Sequence, residues 1–434
     1  MSAGKPPSTH VTKKVRKKSG KKRDVSLTSL VSRRVPVGNQ DDRYHRTSFP
    51  LVMDLNMNDE EVAQSSEVPM DTSESTKYFP FQLLPELCKL RVWSFLTQCD
   101  LGRCMLVCAD WHHSIQRPQL WKSIRFSALP YTCLPRDRSG PVHTDPVCHH
   151  CFRKRVLSFS QFLSHIHPVV QEFQFCLDIS HPTDQFNNVV EQFMSTAELN
   201  SLAYADINWK ESPSRASLRT SQESLQDYMY RFRKRQRMFS RIFSTFVSVA
   251  SNLTTLVMPF DWTDKNLESL CSLTKLENLV LEKYGIYNHC FTQNFMNMLT
   301  RSLVNLKKLL LEVWIPTCNN TGMAVYYVES TSLTFLDVSQ CRGFYLKRVN
   351  TPNLLHLRIA RQPWQKSFIQ QPSPQLPCMC SVLSAGAPKL QYINGHRLES
   401  DSWCPPSEEL TSLMAVICCC LQHKRNNGIE MYGM

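Results

Sequence analysis

The residues whose types and spacing come nearest to chemistry are soft metal ligands. Cys148 and Cys151 stand three apart, Cys133 precedes them, and His149, His150, His165 and His167 lie in the same stretch. Cys-x2-Cys is half of a zinc knuckle, since two thiolates so spaced can reach one tetrahedral ion. The second half fits poorly, because His165 and His167 are only two apart where about four to six is usual. We therefore expect free or buried thiols and no metal, with zinc on Cys148 and Cys151 left as the open alternative. Cys378-x-Cys380 and Cys418-Cys419-Cys420 have no second ligand pair nearby in sequence, and the triplet sits in an apolar run that reads as core. No Gly-rich phosphate loop, Gly-x-Ser-x-Gly elbow or His-Glu-x-x-His pair occurs. Only 12 Gly in 434 residues leave few places for strained catalytic turns. The expectation is a chain with no catalytic residue and no cofactor, hence not an enzyme.

Cations offer a different chemistry. Lys13, Lys14, Arg16, Lys17, Lys18, Lys21, Lys22 and Arg23 form a dense block that suits a nuclear-import receptor or nucleic-acid phosphates, or is a solvated tail. No aromatic residue is interleaved with it, which disfavours single-strand recognition by stacking. Residues 1–46 carry 13 Lys/Arg against 3 Asp/Glu, and residues 47–80 carry 1 against 7. With so little periodic apolar content, residues 1–80 are expected to be disordered. A second cationic set, Arg231, Arg233, Lys234, Arg235, Arg237 and Arg241, backs an apolar face of Leu225, Met229, Phe232, Phe239, Phe243 and Phe246. It reads as a solvated helix face or as a stripe for an acidic partner or nucleic acid.

The 18 Cys read as reduced thiols, because no secretory signal opens the chain. An intracellular protein of the nucleus or cytoplasm is expected, with no membrane association: the longest apolar run, Leu413–Leu421, is far short of the roughly 20 residues that span a bilayer.

Folded character begins at Phe81. Leu84-Pro85 opens a helix with Pro in its first turn, and Leu87, Leu90, Val92, Trp93, Phe95 and Leu96 give it a broad apolar face. Asp100 can cap a second helix in which Leu101, Cys104, Met105 and Cys108 recur at helical spacing; Trp111, Ile115, Leu120 and Trp121 follow. Helices this short bury too little to stand alone, so a partner surface is expected. Leu84-Pro85, Val92-Trp93-Ser94-Phe95-Leu96, Asp100-Leu101, Val107-Cys108, Trp111 and Pro118-Gln119-Leu120-Trp121 resemble the F-box motif at its usual spacings over about 40 residues. Glu86 and Leu87 depart from that pattern by one place at the usual acidic position. The resemblance implies docking on the Skp1 adaptor of a cullin–RING ubiquitin ligase through Leu84, Pro85, Val92, Trp93, Leu96, Leu101, Val107, Trp111, Leu120 and Trp121.

Downstream, a Leu-x-x-Leu-x-apolar unit recurs at Leu253/Leu256/Met258, Leu276/Leu279/Leu281, Leu306/Leu309/Leu311, Leu333/Leu336/Val338 and Leu354/Leu357/Ile359. The steps of 23, 30, 27 and 21 residues bracket the leucine-rich-repeat period. Weaker units at Trp121/Ile124/Phe126, Val170/Phe173/Phe175, Leu199/Leu202/Tyr204 and Leu390/Ile393 extend the series. The expected architecture is α/β: a disordered tail (1–80), a helical F-box (81–122) and an irregular leucine-rich-repeat solenoid (123–434) with a loop-plus-helix insertion at 205–250.

The resulting functional expectation is a non-catalytic substrate receptor of an SCF ubiquitin ligase, with the repeats capturing an unidentified target protein. The alternative is a nuclear nucleic-acid or chromatin scaffold using the basic tail and basic helix. In each strand the second and third apolar residues should point inward, leaving alternate positions outside. Val280, Leu310 and Phe335, bordered by Asp337 and Arg358, are thereby expected to form a target-binding patch unless the chain's own C-terminal segment covers them.

Overall fold

The computed structural model describes residues 81–130, 149–176, 186–208, 224–283, 290–316, 323–361, 376–398 and 408–418. The basic block at 13–23 lies outside these residues.

Three short helices come first: α1 (Glu86–Trp93), α2 (Gln98–Cys104) and α3 (Ala109–Ile115). Pro85 stands at the N-cap of α1, where its missing donor is harmless and its fixed φ suits helix entry. Thr97 caps α2: its hydroxyl oxygen accepts from the Asp100 amide and its O–H donates to the Asp100 carboxylate at 2.7 Å. Aromatic rings join the helices. Trp93 packs edge-on against Trp111 at 4.8 Å between centroids, and Phe81 closes the cluster at 5.0 and 5.4 Å. Trp121 is buried, and its indole N–H donates to the Ile115 carbonyl at 2.9 Å.

The rest of the chain builds two layers. Its strands are β1 (Ser123–Arg125), β2 (Glu172–Cys176), β3 (Tyr204–Asn208), β4 (Thr255–Phe260), β5 (Asn278–Lys283), β6 (Lys308–Leu311), β7 (Ala324–Glu329), β8 (Phe335–Val338), β9 (Phe344–Asn350), β10 (His356–Ile359), β11 (Tyr392–Ile393) and β12 (His396–Arg397). All but β7 and β9 form one sheet whose strand order follows the chain, parallel from β1 to β11. β12 returns antiparallel through Asn394 and Gly395, both at positive φ, the two-residue hairpin turn that an Asn-Gly pair favours. The buried face carries the second and third residues of each apolar unit, all with 3 % exposure or less from Leu256 to Ile359, as the spacing predicts.

Over that face lie α4 (His149–Ile166), α5 (Phe186–Thr196), α6 (Leu225–Val249), α7 (Asp264–Cys271) and α8 (Gln293–Ser302), then the parallel pair β7 and β9, then α9 (Met379–Gly386) and α10 (Glu408–Ile417), each against the next. Strands replace helices in mid-layer because Ala324–Glu329 and Phe344–Asn350 are aromatic and β-branched. Tyr326 stacks on Phe344 at 4.1 Å and donates its hydroxyl to the Phe291 carbonyl. The close approach of α9 to β9 needs Gly386, where a Cβ would overlap the Val349 carbonyl.

The turns before the strands repeat one device. The amides of Asn252, Asn305 and Asn353 donate to the Asn200, Thr274 and Thr331 carbonyls of the preceding turn. Lys275 and Lys389 reach back to the side-chain oxygens of Asn252 and Asn353. Asn252, Lys275, Asn305 and Asn353 each stand immediately before an apolar unit, and these bonds give a reason for a polar residue there. α6 corrects the expected insertion: Phe239, Ile242, Phe243 and Phe246 are buried in the common core, so the helix is an ordinary member of the second layer, and β3 within 205–250 is a strand of the sheet. Residues 209–223, the loop part of the expected insertion, lie outside the described residues.

Candidate functional site

The three-helix module divides the residues that the sequence groups together. Trp93, Leu101 and Trp121 have at most 3 % exposure; their place is the module's own core, a correction to the expected docking set. Leu84, Leu96, Trp111 and Leu120 are half-buried, while Pro85, Val92 and Val107 are exposed. Four apolar residues outside that set are exposed beside them: Leu83 at 81 %, Leu87 at 80 %, Phe95 at 72 % and Leu106 at 61 %. Large apolar side chains uncovered at this density on about thirty residues mark an interaction surface. A helical period cannot separate the two groups, since both faces of α1 are apolar; the Trp93–Trp111 contact decides which face turns in.

This module is held to the sheet. The Gln98 side-chain amide donates to the Arg125 carbonyl at 2.6 Å and accepts from the Arg125 amide at 2.9 Å, as a neighbouring strand would. The free edge of β1 is thereby satisfied by α2.

On the sheet's open face, strand register brings Asn278, Lys308, Phe335, His356 and Tyr392 into one row and Val280, Leu310, Asp337 and Arg358 into the next. Val280, Leu310 and Phe335 are half-buried and Arg358 is exposed, as expected of this face. Asp337 is different. Only 7 % exposed, its carboxylate accepts from the Ser339 amide and hydroxyl at 2.9 and 2.7 Å and lies 3.6 Å from the Arg358 guanidinium, so it braces the patch and is not a free rim charge. Arg358 covers the Phe335 ring at 5.7 Å. The sequence reading missed an aromatic ladder: Phe335, His356 and Tyr392 follow one another across β8, β10 and β11, with His356 stacked on Tyr392 at 4.7 Å. That spacing is the distance between neighbouring strands, and the signal in sequence was only one aromatic residue in each of three units.

Of the candidate soft ligands, Cys151 and His165 do not converge. Cys151 is buried in the first turn of α4 and His165 is exposed in its last, about 21 Å apart at 1.5 Å per residue. Cys148 and Cys133 lie outside the described residues, among which no three His, Cys, Asp or Glu side chains could hold a metal ion. Desolvation pushes the thiols of Cys99, Cys104, Cys271 and Cys380 up, and that of Cys341 up to about 12, the reverse of an activated nucleophile. No described helix is long and apolar enough to cross a membrane.

Among known protein families, an F-box-like model matches residues 81–127. These residues take in all three helices, the turn at Pro118–Leu120 and β1. The chain thus carries an F-box-like domain, of the class that generally binds Skp1 in cullin–RING ligases. Compared with curated proteins, the chain has no significant match.

Proposed function

We propose that the chain is a non-catalytic substrate receptor of an SCF ubiquitin ligase, its F-box-like module docking Skp1 and residues 123–434 acting as a leucine-rich-repeat array that captures a protein target. The observation that carries this reading is the uncovered apolar surface of Leu83, Leu87, Phe95, Leu106 and Val107 on a matched F-box-like domain. The repeat reading is supported by the apolar units falling on successive parallel strands and by the Asn and Lys stitches between their turns. Isopeptide chemistry belongs to other subunits, and this chain supplies proximity and orientation. Target capture is assigned to the open face, at Val280, Leu310, Phe335 and Arg358 with the ladder of His356 and Tyr392.

Co-purification from cells tests both halves. Leu87→Asp with Phe95→Asp should abolish Skp1 recovery, since placing charge in a buried apolar interface costs several kcal/mol, while the melting temperature stays unchanged. Leu310→Asp with Phe335→Ala should eliminate the protein whose ubiquitination depends on this chain and leave Skp1 bound. Full Skp1 recovery from the first variant refutes the ligase reading; unchanged target recovery from the second moves recognition off the sheet.

A further inference from the structure

At the end of the second layer, cysteines that lie far apart in sequence come together. Cys378 is the N-cap of α9, Cys380 stands in the first turn of that helix, and Cys418 follows the last residue of α10. The Cys418 side chain is fully buried. Its Sγ accepts from the Met379 amide at 3.3 Å and lies 3.6 Å from the Tyr345 hydroxyl. That hydroxyl gives its one proton to the Pro377 carbonyl at 2.8 Å, so the Cys418 thiol is the donor toward Tyr345. Strand β9, the start of α9 and the end of α10 are thus tied through one sulfur.

The bond from Met379 fixes where that sulfur stands. In a trans peptide the N–H points to the same side as the preceding Cα, so an acceptor at this distance lies about 4 Å from the Cα of Cys378. The Cα of Cys418 is about 2.8 Å from its own sulfur, which keeps the two Cα atoms within about 7 Å, the limit that a disulfide bridges without moving the backbone. Cys380 is the poorer mate. Burial first, and then the neighbouring Cys378 and Cys418, push its thiol up, which lowers its thiolate fraction. Cys378 is half-buried whereas Cys418 is sealed, so a small oxidant reaches the first sulfur before the second.

We propose that Cys378 and Cys418 form a reversible disulfide, a modification site at which a hydroperoxide locks the end of α10 onto α9. Peroxide transfers one oxygen to the Cys378 sulfur, giving a sulfenic acid and a first water. The Cys418 sulfur attacks the sulfenic sulfur; the S–S bond forms, the S–O bond breaks, and the hydroxide leaves with the Cys418 proton as a second water. Two thiols lose two electrons and two protons, and the peroxide is reduced to two waters. A dithiol reductant reverses the bond. The cross-link closes the chain between residues 378 and 418 and stabilises the fold by restricting the unfolded chain. The proposal depends on neither the F-box nor the repeat reading.

The test treats the full chain with hydrogen peroxide, alkylates the remaining thiols in denaturant, digests without reduction and maps the peptides by mass spectrometry. The expected product is a pair of peptides joined at Cys378 and Cys418 and released by dithiothreitol, with the oxidised protein melting above the reduced one. Cys378→Ser, with serine well suited to an N-cap, should remove the link and the melting shift while the reduced variant melts as the wild type does. Cys418→Ser should remove the link as well, and is read by peptide mapping alone if its melting temperature falls. Cys418 recovered alkylated after oxidation, Cys418 joined to any cysteine other than Cys378, or a melting shift that survives in Cys378→Ser overturns the proposal.

Discussion

At the scale of single residues, Asp261 is the clearest case of a side chain whose environment sets its chemistry. Burial holds its carboxyl above the ordinary value of 3.8, against the opposing pull of hydrogen bonds from Asn266, Thr263 and Gln236. The folded chain therefore binds this proton more tightly than the unfolded chain does. Its contribution to stability is complete below pH 3.8 and is lost as pH rises through the raised folded value. Urea unfolding across this range should give a stability difference between wild type and Asp261→Asn that falls with rising pH and then levels off. A difference independent of pH would mean that folding leaves the affinity of this carboxyl for its proton unchanged and the burial argument is wrong. Trp93 and Trp121 teach a related lesson: large aromatics with motif spacing belong to the module's interior, and the smaller Leu83, Leu87 and Leu106 hold the outside.

Elements meet through side chains that imitate backbone. Gln98 on α2 gives β1 the donor and acceptor that a further strand would supply, and so fixes the F-box-like module against the sheet. Gln98→Ala removes both bonds, at about 0.5–1.5 kcal/mol each. The expected outcome is faster hydrogen exchange at the Arg125 amide with exchange in β5 and β6 unchanged. Equal protection in the variant would assign the junction to apolar packing alone. The same imitation recurs along the sheet, where Asn252, Asn305 and Asn353 each bind the turn before them.

At the scale of the whole molecule, the dense cationic block at Lys13–Arg23 lies outside the described residues, and the work proposed for it is nuclear import. We expect deletion of residues 1–25 to move the protein from nucleus to cytoplasm without shifting its melting temperature. An unchanged nuclear fraction would assign import to a partner. The one continuous core from Trp93 to Cys418 joins the F-box-like module and the sheet in a single packed body, which would hold the proposed adaptor and target sites in one fixed arrangement.

The sequence by itself determined the pieces that depend on near neighbours. Leu-Pro and Trp spacing marked an F-box-like helical module before any coordinates, and the Leu-x-x-Leu-x-apolar unit marked strands, their inward residues and the face left open, because strand side chains alternate whatever lies beyond them. Only the tertiary structure decided what depends on residues distant in sequence. It turned Trp93, Leu101 and Trp121 inward, satisfied Asp337 with Ser339 and Arg358, and set Phe335, His356 and Tyr392 into one ladder. It also exchanged helices for β7 and β9 in the second layer and brought the Cys418 sulfur against the start of α9. The physical reason is common to all of these. Periodicity shows that a residue is apolar on one side of its own element, while which neighbour covers that side, and which polar groups then meet, is settled by packing across the chain.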